Sequence, residues 1–254
     1  MAKNSGGRMM HIVIGTPMYN GQCCSEYVES LLGLKEACLQ YNIKLTCIFL
    51  GNESLIQRGR NTIAHHFLKT DASHLMFIDA DQKFRPNDIA RMIKADKGII
   101  GGCVPMKGIN WDRVRQGAVL NHPNLSLLTG IFNINKLDGH DMMDPNLPFQ
   151  VRHVGTGFML IRRDVFEKLQ PHVGWYTNGG NTIGQDKIFD FFKVQNVDNE
   201  LLSEDYNFCQ MYRQHGGTVW VAPWCELGHF GAYCFSGQYA QGVHHGTPVH
   251  QVPA

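Results

Sequence analysis

The chain lacks three things that would place it quickly. It has no excess of either charge, because 23 Lys and Arg against 22 Asp and Glu leave a formal net charge of +1. Nucleic-acid binders carry a clear basic excess or stripe, so a general grip on a polyanion is excluded and any phosphate has to be held locally. It also has no apolar run near the ~20 residues of a membrane span, and Met1 to Arg8 contains no apolar signal region. A soluble, intracellular (cytoplasmic) protein is expected. Finally, none of its eight cysteines forms a C-x-x-C pair or a zinc-ligand spacing, and several sit inside apolar segments. That pattern suggests buried thiols in a reducing compartment rather than a disulfide framework.

What is present is a regular alternation over the first hundred residues. A chain of 254 residues with ordinary apolar content fits one large α/β domain better than two small ones. His11-Ile12-Val13-Ile14 is a β-branched run that breaks at Gly15-Thr16-Pro17, and Ser25 to Tyr41 has its apolar residues at helical spacing. Leu45 to Leu50 reads as a second buried strand. Leu55 to Leu68 reads as a helix with Arg58, Arg60 and Asn61 near its start, and Pro86 opens a third helix. Gly98 to Val104 looks like a fourth strand. From Asn110 to Phe149 the alternation fails, and hairpins and long loops are expected around a site. Order returns over Val151 to Ile161, with a short helix at Asp164 to Leu169. Gly174 to Asn199, with Gly179-Gly180, Trp175 and Tyr176, suggests a mobile lid. Ser203 starts a helix to about His215, and Thr218 to Ala222 is the expected last strand. Residues 1–9 and 238–254 are expected to be flexible tails around a domain at 10–237.

The most informative stretch is Leu75-Met76-Phe77-Ile78 followed by Asp79-Ala80-Asp81. A doubly buried strand does not end in acids without a use for them, because burying an unpaired carboxylate is expensive. Side chains at i and i+2 of an extended segment point the same way, so Asp79 and Asp81 can present oxygens together at the carboxyl end of a central strand. Ligands bind there in open α/β sheets. Two hard oxygen donors suit Mn²⁺ or Mg²⁺, which in turn attracts a diphosphate; a polar strand end capping the next helix is the other reading.

Four segments in order then carry a family resemblance: Pro17-Met18-Tyr19-Asn20 after the first strand, Asp79-Ala80-Asp81 after the third, Gly155-Thr156-Gly157-Phe158, and Ser203-Glu204-Asp205-Tyr206 opening a helix. Together, over roughly Met10 to Gly237, they resemble GT-A glycosyltransferases of the family 2 type, most like compact viral and phage-encoded members. The resemblance implies a Rossmann-like α/β fold with a central, mostly parallel mixed sheet flanked by helices. It also implies a UDP- or GDP-sugar donor, a divalent cation on the D-x-D, and transfer of the sugar to a hydroxyl of a glycan or glycoprotein.

On that reading Pro17, Tyr19 and Asn20 cradle the nucleotide, the Tyr ring stacking on its base. Asp79 touches ribose or metal and Asp81 ligates metal. Arg58 and Arg60 clamp phosphate or base edge from a helix start, with Lys107 as a further diphosphate contact. Asp205 is the acceptor's general base, assisted by Glu204. Gly155, Thr156 and Gly157 allow close approach of a sugar, Trp111 is a stacking platform, and His229 between glycines is a third metal ligand. Each has a plainer reading: a strand-end turn, solvated helix charges, acids favoured by a helix dipole, a core Trp, a structural His.

Two rival enzymes fit less well. A haloacid-dehalogenase-type phosphatase wants Thr or Val two residues after the second Asp of a first-strand D-x-D, where this chain has Lys83 and two strands come before. A nucleotidyltransferase wants a basic Gly-rich loop after the first strand, and Gly15 to Gly21 has no Lys or Arg. A catalytically inactive glycan- or nucleotide-binding module would have no need of Asp205.

Overall fold

The computed structural model describes residues 9–139, 141–142, 144–178 and 186–240. The first half alternates as its sequence does: β1 (His11–Met18), α1 (Ser25–Gln40), β2 (Lys44–Gly51), α2 (Ile56–Leu68), β3 (His74–Ile78), β4 (Gln82–Lys83), α3 (Pro86–Lys94) and β5 (Ile99–Gly102). The second half holds α4 (Trp111–Val119), β6 (Asn135–Lys136), β7 (Phe149–His153), β8 (Phe158–Arg162), α5 (Arg163–Leu169), β9 (Trp175–Tyr176), β10 (Ile188–Phe189), β11 (Gln195–Val197) and β12 (Glu200–Leu202). It closes with α6 (Glu204–Gln214), β13 (Val219–Ala222), β14 (Glu226–Phe230) and β15 (Cys234–Gln238).

Among the described residues the main sheet has eight strands in the order β2-β1-β3-β8-β5-β13-β7-β6. Only β8 and β7 run against the other six, so the sheet is mixed and mostly parallel, as expected. Side chains alternate between its two faces with the period of a strand. Val13, Leu75 and Phe77 join α2, α5 and α6 in one core, while Ile12, Ile14, Met76 and Ile78 join α1 and α3 in the other. All five residues of β3 are buried. Each large apolar side chain so enclosed contributes about 1.5–3 kcal/mol. Gly15 sets the spacing of α2 on β1, since a Cβ there would stand 2.4 Å from Ile63 Cγ2. Even alanine would push the helix off the strand.

Several expectations change. β2 is an edge strand and only half-buried, because nothing pairs with its outer side among the described residues. The stretch 110–149 contains α4, whose Asn110 side chain accepts from the Arg113 amide as an N-cap. Thr218 to Ala222 is not the last strand: β14 and β15 follow and join β4 in a separate three-stranded sheet. In the expected lid, Gly179-Gly180 lie outside the described residues, and the stretch 188–192 after them packs into the core while 194–196 stand exposed. Ile188, Phe191 and Phe192 are buried, and the Asn61 side chain bonds both the Phe192 amide and the Asp190 carboxylate. The packed region also continues past 237, where Tyr239 lies between Phe132 and Phe149. Among the described residues no helix is long and apolar enough to cross a membrane.

Candidate active site

The carboxyl ends of β1, β2 and β3 open into a cleft of about 570 Å³. Pro17, Tyr19, Asn20, Arg60, Asp79 and Asp81 all line it, as the sequence suggests, together with Cys23, Cys24 and Glu53. Tyr19 is 64% exposed, its ring open to a stacking partner. Arg58 is different. Residues two apart on a helix face different ways, so Arg58 turns from the cleft and donates from Nε and Nη2 to the Glu53 carboxylate at 2.5 and 2.7 Å. This pairing lowers the Glu53 pKa and satisfies the guanidinium without a nucleotide.

Arg60, on the inward face, is 4% exposed and bridges two acids from distant parts of the chain. Its Nε donates to Glu204 Oε1 at 3.1 Å and its Nη2 to Asp79 Oδ1 at 3.2 Å, while Nη1 is buried without a partner. Burial and the neighbouring Asp205 charge raise the Glu204 pKa, against the pull of Arg60. Arg60 thus ties the end of β3 to the first turn of α6, a role its sequence position does not reveal.

Asp79 and Asp81 have different partners. The Gln82 amide donates to the Asp79 carbonyl, closing a tight turn that carries Asp81 toward β14. There Asp81 Oδ2 accepts from Lys107 Nζ at 2.7 Å and lies 3.3 Å from His229 Nε2. Burial raises the Asp81 pKa, but His229 and Lys107 outweigh it and hold the carboxyl at about 2. For His229 burial lowers the pKa, yet the Asp81 and Pro105 contacts leave it raised. Its Nδ1 is 2.9 Å from the Pro105 carbonyl, which only accepts, so Nδ1 carries a proton and Nε2 points its remaining valence at Asp81. A lone pair facing a carboxylate needs a cation or a proton between them. Imidazole nitrogen and carboxylate oxygen, with the ring oriented by a carbonyl behind it, are donors of a kind that suits a Mn²⁺ ion. His229 lies within β14 of the small sheet rather than after the main sheet's last strand. Among the described residues no group of three or more His, Cys, Asp and Glu comes together as a metal cage, because Asp79 turns to Arg60.

Asp79 also lines a second, smaller cavity of about 220 Å³, which holds Asp205, Gly155 and Gly157. Asp205 Oδ1 accepts from the Ser203 hydroxyl and the Tyr206 amide, whereas Oδ2 has one long contact, 3.4 Å from the Thr156 amide. Oδ2 is the oxygen with capacity to spare. Gly157 has a steric reason, since a Cβ there would stand 3.2 Å from Asp79 Oδ2; at Gly155 a Cβ would make only an ordinary contact, 3.6 Å from Asp205 Oδ2. Thr156 is fully buried and lines neither cavity, so its side chain is not placed to meet a ligand there. Trp111 lines neither cavity and is not core either; it stands 64% exposed at the start of α4. Gln82 and His153 line the smaller cavity and have no counterpart in the sequence reading. The neighbour of a D-x-D was the available signal for Gln82; His153 had none.

No protein-family model matches the chain, and no curated protein matches it. Solved structures do. A197 from STIV is 14% identical with a TM-score of 0.46, over 87% of this chain and 86% of that one. GalNAc-T7, solved with UDP, GalNAc and Mn²⁺, is 10% identical with a TM-score of 0.47, over 89% of this chain and 44% of its own. TarS 1-349 from S. aureus, in complex with UDP-GlcNAc, is 11% identical with a TM-score of 0.40, over 84% of this chain and 56% of its own. The chain therefore spans about half the length of the last two. The likeness is one of outline, and the chemistry is carried by the residues above.

Proposed function

We propose that the chain is a GT-A-type glycosyltransferase that moves a sugar from a UDP- or GDP-sugar to a hydroxyl of a glycan, its packed residues forming one catalytic unit. The observation that carries this reading is the shared wall at Asp79. On one side lies a nucleotide-sized cleft with an exposed Tyr and charged groups; on the other lies a sugar-sized cavity with a carboxylate oxygen in reserve. A molecule with a nucleoside diphosphate at one end and a sugar at the other matches that division.

In the reaction the acceptor oxygen bonds to the anomeric carbon as that carbon's bond to the diphosphate oxygen breaks, and Asp205 Oδ2 takes the acceptor's proton. Asp79, fixed by Arg60, stands between the two parts of the donor. Asp81 and His229 would hold the cation, with diphosphate oxygens completing its shell, and Lys107 would then be released to a phosphate. Bound there, a divalent ion supplies charge stabilisation for the leaving diphosphate.

The test is incubation with UDP- and GDP-sugars and Mn²⁺, following free sugar. Slow hydrolysis of one donor is expected, with water as the substitute acceptor. Tight donor binding without hydrolysis or transfer would instead support an inactive binding module.

A further inference from the structure

The smaller cavity has on its wall a group with no hydrogen-bond partner among the described residues. Gln82 is fully buried on its wall, and neither Nε2 nor Oε1 of its amide has a hydrogen-bond partner. A primary amide offers two N–H donors and a carbonyl acceptor, and leaving all of them unpaired in a buried place is unfavourable enough to call for a reason. Its position is fixed from both sides. The residue sits in β4 directly opposite His229 of β14, and paired residues of antiparallel strands face the same way. His229 lines this same cavity.

A second unpaired group lines the cavity too. His153 Nε2 is buried without a partner, and its ring is stacked on Tyr206 at 4.8 Å between centroids with planes 17° apart. The Tyr206 hydroxyl is itself engaged, accepting from Asn133 Nδ2 at 3.1 Å. Among the described residues no Lys or Arg lines the space, and two carboxylates, Asp79 and Asp205, do. Away from His229, such a lining disfavours a phosphate and suits a neutral ligand rich in hydroxyls, each of which both donates and accepts.

Resting on the transferase reading above, we propose that this cavity takes the neutral monosaccharide unit of the donor and that Gln82 determines which sugar is accepted, its amide pairing with a ring hydroxyl or acyl-amino group while His153 Nε2 pairs with a second. A site built around buried hydrogen-bonding groups discriminates strongly, because a sugar lacking the matching substituent leaves the amide unpaired. Selectivity would then lie in the residue after the D-x-D rather than in the carboxylates themselves.

The experiment measures binding of UDP, UDP-glucose, UDP-galactose, UDP-N-acetylglucosamine, GDP and GDP-mannose with Mn²⁺, for the wild type and for Gln82→Leu and Gln82→Met. In the wild type one sugar nucleotide should bind more tightly than its bare diphosphate. In both variants that sugar increment should fall by roughly tenfold while affinity for the bare diphosphate stays unchanged. The ligand-free variants should melt no lower than the wild type, since an unpaired buried amide has been replaced by an apolar group of similar volume. A lowered melting temperature would mean that the amide has a structural partner and would overturn the proposal. An undiminished sugar increment in folded variants would overturn it and leave the transferase reading intact. Absence of binding by every nucleotide would instead remove that reading, and this one with it.

Discussion

The two cavities that meet at Asp79 hold their polar groups in opposite ways. In the larger cleft the charges are engaged: Arg60 with Asp79 and Glu204, Asp81 with Lys107 and His229, Glu53 with Arg58. In the smaller cavity the Gln82 amide and His153 Nε2 are unpaired. Paired ions can be exchanged for a ligand's phosphates and a cation with little net change in charge, whereas unpaired neutral groups gain only when a neutral hydrogen-bonding ligand arrives. On the proposed function, the difference suits the charged half of a donor to one side and its sugar to the other.

The largest expected effect falls on the free carboxylate oxygen of the smaller cavity. Asp205→Asn keeps the shape and removes the basicity, so turnover should fall by roughly a hundredfold to ten-thousandfold while donor affinity, read by calorimetry, survives. Near-normal transfer would return Asp205 to a role in ordering the α6 first turn.

Next comes the link between the two sides. Arg60→Leu leaves Glu204 buried without its partner, and breaking a buried pair on one side costs about 3–5 kcal/mol. Chemical denaturation should show that loss. Arg58→Leu, at an exposed pair, should cost under about 1 kcal/mol, and equal losses at the two arginines would contradict the inward and outward assignment.

How much of this was legible in the sequence follows the same line. The β1 to α3 alternation, the buried β3 and the acids behind it were readable because period, glycine breaks and Pro86 act locally. Pro17, Tyr19, Asn20 and the acid at Asp205 were offered by the family resemblance, and the structure puts the first three on the larger cleft and Asp205 on the smaller cavity. Arg60 was placed at the site, but its bridge to Glu204 spans 144 positions and leaves no local signal. The same holds for Gln82 and His153, whose importance lies in what fails to surround them. The irregular half was least legible. There α4 hides behind Asn, Gly and Pro that favour loops, and β14 pairs with β4 rather than with the main sheet.

A smaller effect separates ligand chemistry from stability. Burial, with Arg162 adding to it at His74 and Arg213 at His153, lowers both histidines to a pKa of about 4 from 6.5. Between those values the unfolded chain binds more protons than the folded one, so stability falls as pH drops. Their contribution is whole above about pH 6.5 and gone by about pH 4. His153→Phe should flatten part of that slope in melting curves taken without ligand, and an unchanged slope would mean that His153 is charged in the folded state.

The central claim is that the larger cleft binds a nucleoside diphosphate through a cation held by Asp81 and His229. Calorimetric titration of UDP and GDP, with Mn²⁺ and then with EDTA, into the wild type and Asp81→Asn tests it most directly. The wild type should bind one diphosphate with Mn²⁺ and lose about tenfold or more of that affinity in EDTA, and Asp81→Asn should be equally weak in both conditions. Equal affinity with and without the metal, or full Mn²⁺ dependence persisting in Asp81→Asn, would contradict it.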